Sequence, residues 1–259
     1  MQQPGTLFPC PRPANAWRWR LMLGALVLAA VGAGLGCRAS GARSDEPTGS
    51  GNVVTDTRTV SGFSAIDLRG VGQVLLTLGG QEALTVEAED NLQPLISTTV
   101  SGDTLTLELK AGRPTKPITY RVTARQITAL STSGAGDVEA PGVTGAQLKT
   151  NQSGAGNIRL AGLKVDALES NLAGAGNLTA DGTATRLVVN LAGAGNVAAR
   201  DLAVQDAQLT MTGAGKAVVR VSDTLQARLS GAGSVEYLGN PRVQSSISGG
   251  GSVRPLSGG

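Results

Sequence analysis

A chain of 259 residues with 2% aromatic side chains and 37 glycines does not have the composition of an ordinary globular enzyme. It contains no histidine, which excludes Ser-His-Asp and Cys-His nucleophile pairs and removes the commonest metal ligand. The net charge of +3 arises from Arg12, Arg18 and Arg20; the remainder carries 19 basic and 19 acidic residues, so no basic stripe is left to hold nucleic acid.

Residues 1–36 read as a signal peptide. The three arginines lie in its n-region, and the apolar run over 21–35 suits an h-region but is short for a membrane span. It ends at Leu35-Gly36-Cys37, which resembles a bacterial lipobox, with Cys37 as the expected lipidation site and first mature residue. The usual lipobox has Leu three residues before the Cys; here Gly34 holds that position and Leu35 follows it. Loss of Cys10 with the signal would leave a single thiol and no internal disulfide. Residues 37–58 read as a flexible linker, rich in breakers at Ala39-Ser40-Gly41, Asp45-Glu46-Pro47 and Gly49-Ser50-Gly51.

A folded domain is expected over 59–259. Its opening third is irregular. Phe63-Ser64-Ala65-Ile66-Asp67-Leu68 alternates and runs into Gly70-Val71-Gly72-Gln73-Val74. Strands are expected at 74–78 and 83–88, on either side of Gly79-Gly80, with a helical turn near 91–96. A hairpin is expected around Ser101-Gly102-Asp103, and further strands at 120–123 and 127–130. Solenoid ends expose unpaired strand edges, so this segment is the candidate N-terminal cap.

From there one triplet governs the chain. Gly-Ala-Gly stands at Gly134-Ala135-Gly136, Gly154-Ala155-Gly156, Gly174-Ala175-Gly176, Gly193-Ala194-Gly195, Gly213-Ala214-Gly215 and Gly231-Ala232-Gly233, with a worn copy at Gly249-Gly250-Gly251. A period of about 18–20 residues marks a stacked repeat. Residues two, four and six before each triplet are mostly apolar, as in Leu172 and Leu168 or Leu191, Val189 and Leu187. Four residues after its first glycine come Val138, Ile158, Leu178, Val197, Ala217, Val235 and Val253. A third apolar run, such as Leu163-Lys164-Val165, closes each unit. Three short strands per period make one coil of an all-β β-solenoid; the Leu and Asn framework of a leucine-rich repeat is absent.

The paired glycines Gly134 and Gly136, Gly154 and Gly156, Gly174 and Gly176, Gly193 and Gly195, Gly213 and Gly215, and Gly231 and Gly233 are then structural turn residues at a coil corner. Stacking would set Asn157, Asn177 and Asn196 about 4.8 Å apart, close enough for an amide ladder. A phosphate-cradling loop needs a following helix and a Lys-Ser/Thr, and calcium-binding glycine repeats need a nine-residue period with an Asp in every copy. Neither pattern is present.

The segments Phe63-Ser64-Ala65-Ile66-Asp67-Leu68, Gly70-Val71-Gly72, Leu84-Thr85-Val86-Glu87-Ala88 and the run from Leu130-Ser131 to Val138 resemble the bacterial family of putative autotransporter adhesins with a head GIN domain. The resemblance covers about residues 60–255. It implies an exported, single-stranded right-handed parallel β-helix and supplies no catalytic residue.

Carboxylate chemistry is the enzymatic alternative: a polysaccharide-active β-helix, lyase or hydrolase, using an Asp/Glu pair. Asp137, Asp166, Glu169, Asp181, Asp201, Asp206, Asp223 and Glu236 fall at varying phases relative to the glycines, the pattern of a solvated outer face. The expectation is a non-enzymatic lipoprotein of the cell envelope, tethered to a membrane through Cys37. No cofactor or metal is expected. Its partner would be an envelope polysaccharide or surface protein.

Overall fold

Alternating residues can bury one side of a strand only if successive strands stack, and here they stack on the same chain. A computed structural model describes residues 46–256. In chain order its strands are β1 (Val53–Arg58), β2 (Ala65–Gly70), β3 (Gln73–Leu78), β4 (Ala83–Glu89), β5 (Ile96–Ser101), β6 (Thr104–Leu109), β7 (Thr119–Ala124), β8 (Ala129–Gly134) and β9 (Asp137–Pro141). The longer β10 (Thr144–Gly154), β11 (Asn157–Gly174), β12 (Asn177–Gly193), β13 (Asn196–Gly213) and β14 (Lys216–Gly231) follow, then β15 (Ser234–Leu238), β16 (Arg242–Ser248) and β17 (Ser252–Pro255). A single 3-10 turn, Gln93–Leu95, stands where a helical turn was expected.

The long strands bend at corners, so each coil has three sides. The approach face leads into the triplet, the departure face leaves it, and the closing face returns the chain. Parallel pairing sets Gly134, Gly154, Gly174, Gly193, Gly213 and Gly231 in one column. Leu148, Leu168, Leu187, Ala207 and Leu225 form another, all buried inside the approach face. Val138, Ile158, Leu178, Val197, Ala217 and Val235 do the same inside the departure face. The β-solenoid expected from the triplet spacing is therefore the fold, with about six turns. Coil length varies, and the slack is taken up by register shifts at Leu160/Leu163, Thr179/Asp181 and Ala199/Ala203, between the departure and closing faces, and at Val204/Asp206, between the closing and approach faces. The triplet column stays in register.

The irregular first third is threaded in a different order. Along the approach face the rungs run β5, β6, β2, β8, β10; along the departure face they run β1, β4, β7, β3, β9. The β2–β3 coil, with Gly70 in register with Gly134, is thus inserted between rungs made by later residues. Antiparallel pairing at β5–β6, β1–β4 and β4–β7 marks this end as the cap. Folded structure also begins within the stretch expected to be a linker: residues 53–58 are β1, and Thr48 bridges to Arg113. Glu89 holds this segment in place. Its buried carboxylate accepts the N–H groups of Gly51 (2.7 Å) and Thr115 (2.8 Å) and the Thr115 hydroxyl.

Arg58 closes the end of the tube. From β1 its guanidinium reaches across to the approach face and donates to the carbonyls of Ile96 (2.6 Å) and Gln93 (3.1 Å) and to Thr98 Oγ1 (3.2 Å). Asp56 pairs with it at 3.0 Å. In the interior, Thr150 donates to Ser170 at 2.8 Å, whereas Gln152 Oε1 and the Tyr120 hydroxyl have no hydrogen-bond partner among the described residues.

Candidate binding surface

The outward residues of a solenoid coil are repeated at each rung, so any chemistry at one offset becomes a row. On the approach face the offset three before the triplet gives Ser131, Asn151, Asn171, Asn190 and Thr210. The amides form a ladder. Asn190 Nδ2 donates to Asn171 Oδ1 at 2.9 Å, Asn171 Nδ2 to Asn151 Oδ1 at 3.0 Å, and Asn151 Nδ2 to Ser131 Oγ at 3.4 Å. The offset one before the triplet carries Ser133, Ser153, Ala173, Ala192 and Thr212, all small. Long residues beside short ones leave a shallow open groove of about 510 Å³ along several coils, bounded at one end by Asp67.

The departure face carries the ladder anticipated from its asparagines. Asn196 donates to Asn177 and Asn177 to Asn157, each at 2.9 Å. Asp137 ends the row by accepting both the backbone N–H and the side-chain amide of Asn157 at 2.8 Å. The groove beside it, about 480 Å³, also meets Glu139 and Arg159. A wider depression of about 760 Å³ on the closing face is bordered by charges of both signs, including Lys164, Asp166 and Arg220.

The carboxylates at the varying phases are largely engaged between coils. Glu169 pairs with Lys149 at 3.2 Å, and the hydrogen bond from that ammonium draws its carboxyl below the usual range. Glu236 lies between Lys216 (2.8 Å) and Arg254 (2.6 Å) and is likewise shifted down. Asp223 meets Arg242 at 3.2 Å. Asp181 and Asp201 are neighbours in register on one wall, not opposed across a groove, and Asp181 accepts the N–H of Gly162 at 2.6 Å. Among the described residues no cluster of three or more Cys, Asp or Glu could hold a metal ion.

The two triplet glycines occupy different environments. Gly193 has φ +128°, whereas Gly195 lies outside the positive-φ region. At either one a Cβ would run into the carbonyl of the matching glycine in the preceding coil. Cys37 falls outside the described residues. The approach-face ladder was missed in the sequence, although Asn151, Asn171 and Asn190 share one offset from the triplet.

The chain is thus a repeat scaffold that displays ordered rows of polar side chains on flat outer faces. It belongs to the family described as putative auto-transporter adhesin, head GIN domain, whose match spans residues 62–241. A solved putative adhesin from Bacteroides fragilis is similar at 26% identity and a TM-score of 0.75, over 81% of this chain and 99% of that one. A putative lipid binding protein from Parabacteroides distasonis shares the fold at 23% identity and a TM-score of 0.70, over 81% and 99%. A putative adhesin from Parabacteroides merdae does so at 22% and 0.65, over 81% and 98%. No curated protein sequence matches the chain.

Proposed function

We propose that this protein is a non-enzymatic, exported adhesin of the cell envelope, anchored through a lipid on Cys37, that binds an extended envelope polysaccharide or surface protein along its approach face. The ladder through Ser131, Asn151, Asn171 and Asn190 carries the reading. Asn190 spends one donor on the ladder and Asn151 one donor and one acceptor, and both keep the rest for a ligand; Asn171 gives its second N–H to Glu169 and keeps only acceptor capacity. The ladder also fixes the side chains beforehand, so binding loses little rotamer entropy. The naming of the Bacteroides fragilis neighbour as a putative adhesin supports the same assignment.

The test is a binding screen of the protein against envelope polysaccharides and surface proteins, repeated with Asn171→Ala plus Asn190→Ala and with Asn177→Ala on the other ladder. Binding weakened about tenfold, on the order of 1.4 kcal/mol, by the first pair alone is expected. Equal binding by all three proteins would overturn the choice of face. For the anchor, Cys37→Ser should move the protein from the membrane fraction to the soluble one; unchanged fractionation would remove lipidation from the proposal.

A further inference from the structure

The two ends of the solenoid are built differently. At the N-terminal end the side chains of Asp56 and Arg58 lie on the core side of β1, in register with buried Val86 and Leu84. Inward-pointing charges on an edge strand oppose further pairing, because a second sheet laid there would strip them of water. Among the described residues of the C-terminal end no inward-pointing charge appears. β16 extends the approach face, pairing with β14 so that Val243, Ser245 and Ile247 continue the buried columns of Leu225, Ala227 and Leu229. Val243 is 38% and Ile247 43% exposed, because among the described residues nothing lies over them.

The sequence of β16 is self-complementary. Laid antiparallel on a second β16 and centred on Ser245, Val243 faces Ile247, Gln244 faces Ser246 and Arg242 faces Ser248. Apolar residues meet apolar ones on the core side, polar ones meet outside, and no like charges are opposed. Laid in register on the N-terminal end, the same strand would meet β5, where Ile247 would come over Thr98 and the Arg58 guanidinium bonded to it.

We infer that the open C-terminal end is an interface between two copies of this chain, joined by antiparallel β16–β16 pairing about a two-fold axis at Ser245. An isologous contact of this kind closes on itself and stops at two. The end of so narrow a tube is small beside the roughly 1,200–2,000 Å² of a stable interface, so the dimer is a weak one, populated at about 10–100 µM.

Two measurements on the full chain test this. Sedimentation across that concentration range should show a monomer–dimer equilibrium, with the dimer fraction lowered at least tenfold by Val243→Lys at unchanged circular dichroism. In a Cys10→Ser, Cys37→Ser background, mild oxidation with diamide should link Ser245→Cys into a dimer, while Asn190→Cys, midway along the tube, stays monomeric. A chain monomeric throughout would overturn the proposal. So would a ladder of oligomers from a Ser245→Cys, Val100→Cys double variant, whose two positions share one inward column, with Ser245→Cys alone unlinked, which would indicate head-to-tail stacking.

Discussion

At Gly193 a side chain faces two separate obstacles: a positive φ and the carbonyl of Gly174. The first costs about 1–3 kcal/mol for a residue other than glycine, and the second cannot relax without moving the next coil. Gly193→Val should therefore lower the melting temperature by roughly 5 °C or more, at about 2–4 °C per kcal/mol for a chain of this size. Asn190→Ser, at the exposed end of the ladder, should melt within a degree or two of the parent. Equal melting of the two variants would remove the corner role. Gln152 presents the opposite case. It is buried in a column continued by Leu172, Leu191, Met211 and Leu229, and its Oε1 has no partner. An unsatisfied buried acceptor costs about 1–3 kcal/mol, so Gln152→Leu should raise stability by about 1 kcal/mol in denaturant titration. A fall would mean that the bond from its Nε2 to the Gly156 carbonyl outweighs the orphaned oxygen.

The elements that could be read from sequence are those with one wet side and one dry side. The coils from β8 onward announce themselves because every strand alternates and every corner repeats. β1 does not alternate in burial: it is an outer edge strand, exposed along most of its length, so Val53-Val54-Thr55-Asp56 had no buried row to betray it. The departure-face ladder was legible because its asparagines sit next to the triplet; the approach-face ladder was hidden because its offset is shared by Ser131 and Thr210. The cap's dependence on Glu89 likewise rests on residues far apart in sequence. The Thr115 hydroxyl, with the backbone N–H groups of Thr115, Gly51 and Lys116, holds the Glu89 carboxyl below its usual range despite the opposing effect of burial. A depressed carboxylate adds stability above its unfolded pKa, near about 4.3 for Glu, and loses it as pH falls through the folded value. Hydrogen exchange at residues 48–52 and 113–116 should therefore quicken as pH drops below about 4, relative to the intrinsic rate, with the coils still protected. Glu89→Gln should show the faster exchange already at neutral pH. Acid-insensitive protection in the parent would remove Glu89 from this role.

For the whole molecule, stacking order and chain order coincide after β8 and part company before it, and hydrophobic periodicity cannot report that difference. Periodicity shows which side of a strand is buried; it does not show which strand lies above. The inserted β2–β3 coil was therefore visible as a coil but not as an insertion. During refolding, amides of residues 65–70 should gain exchange protection later than those of 158–160 and 178–180, whose neighbours are adjacent in sequence. Protection appearing there first would contradict the dependence on later rungs. The same insertion gives the molecule a schedule. A chain delivered N-terminus first releases β2 and β3 while β6, β7, β8 and β9, which flank them on both sides, are still to come. Two bare strand edges wait through that interval, which is when the chain is most open to joining the wrong neighbour.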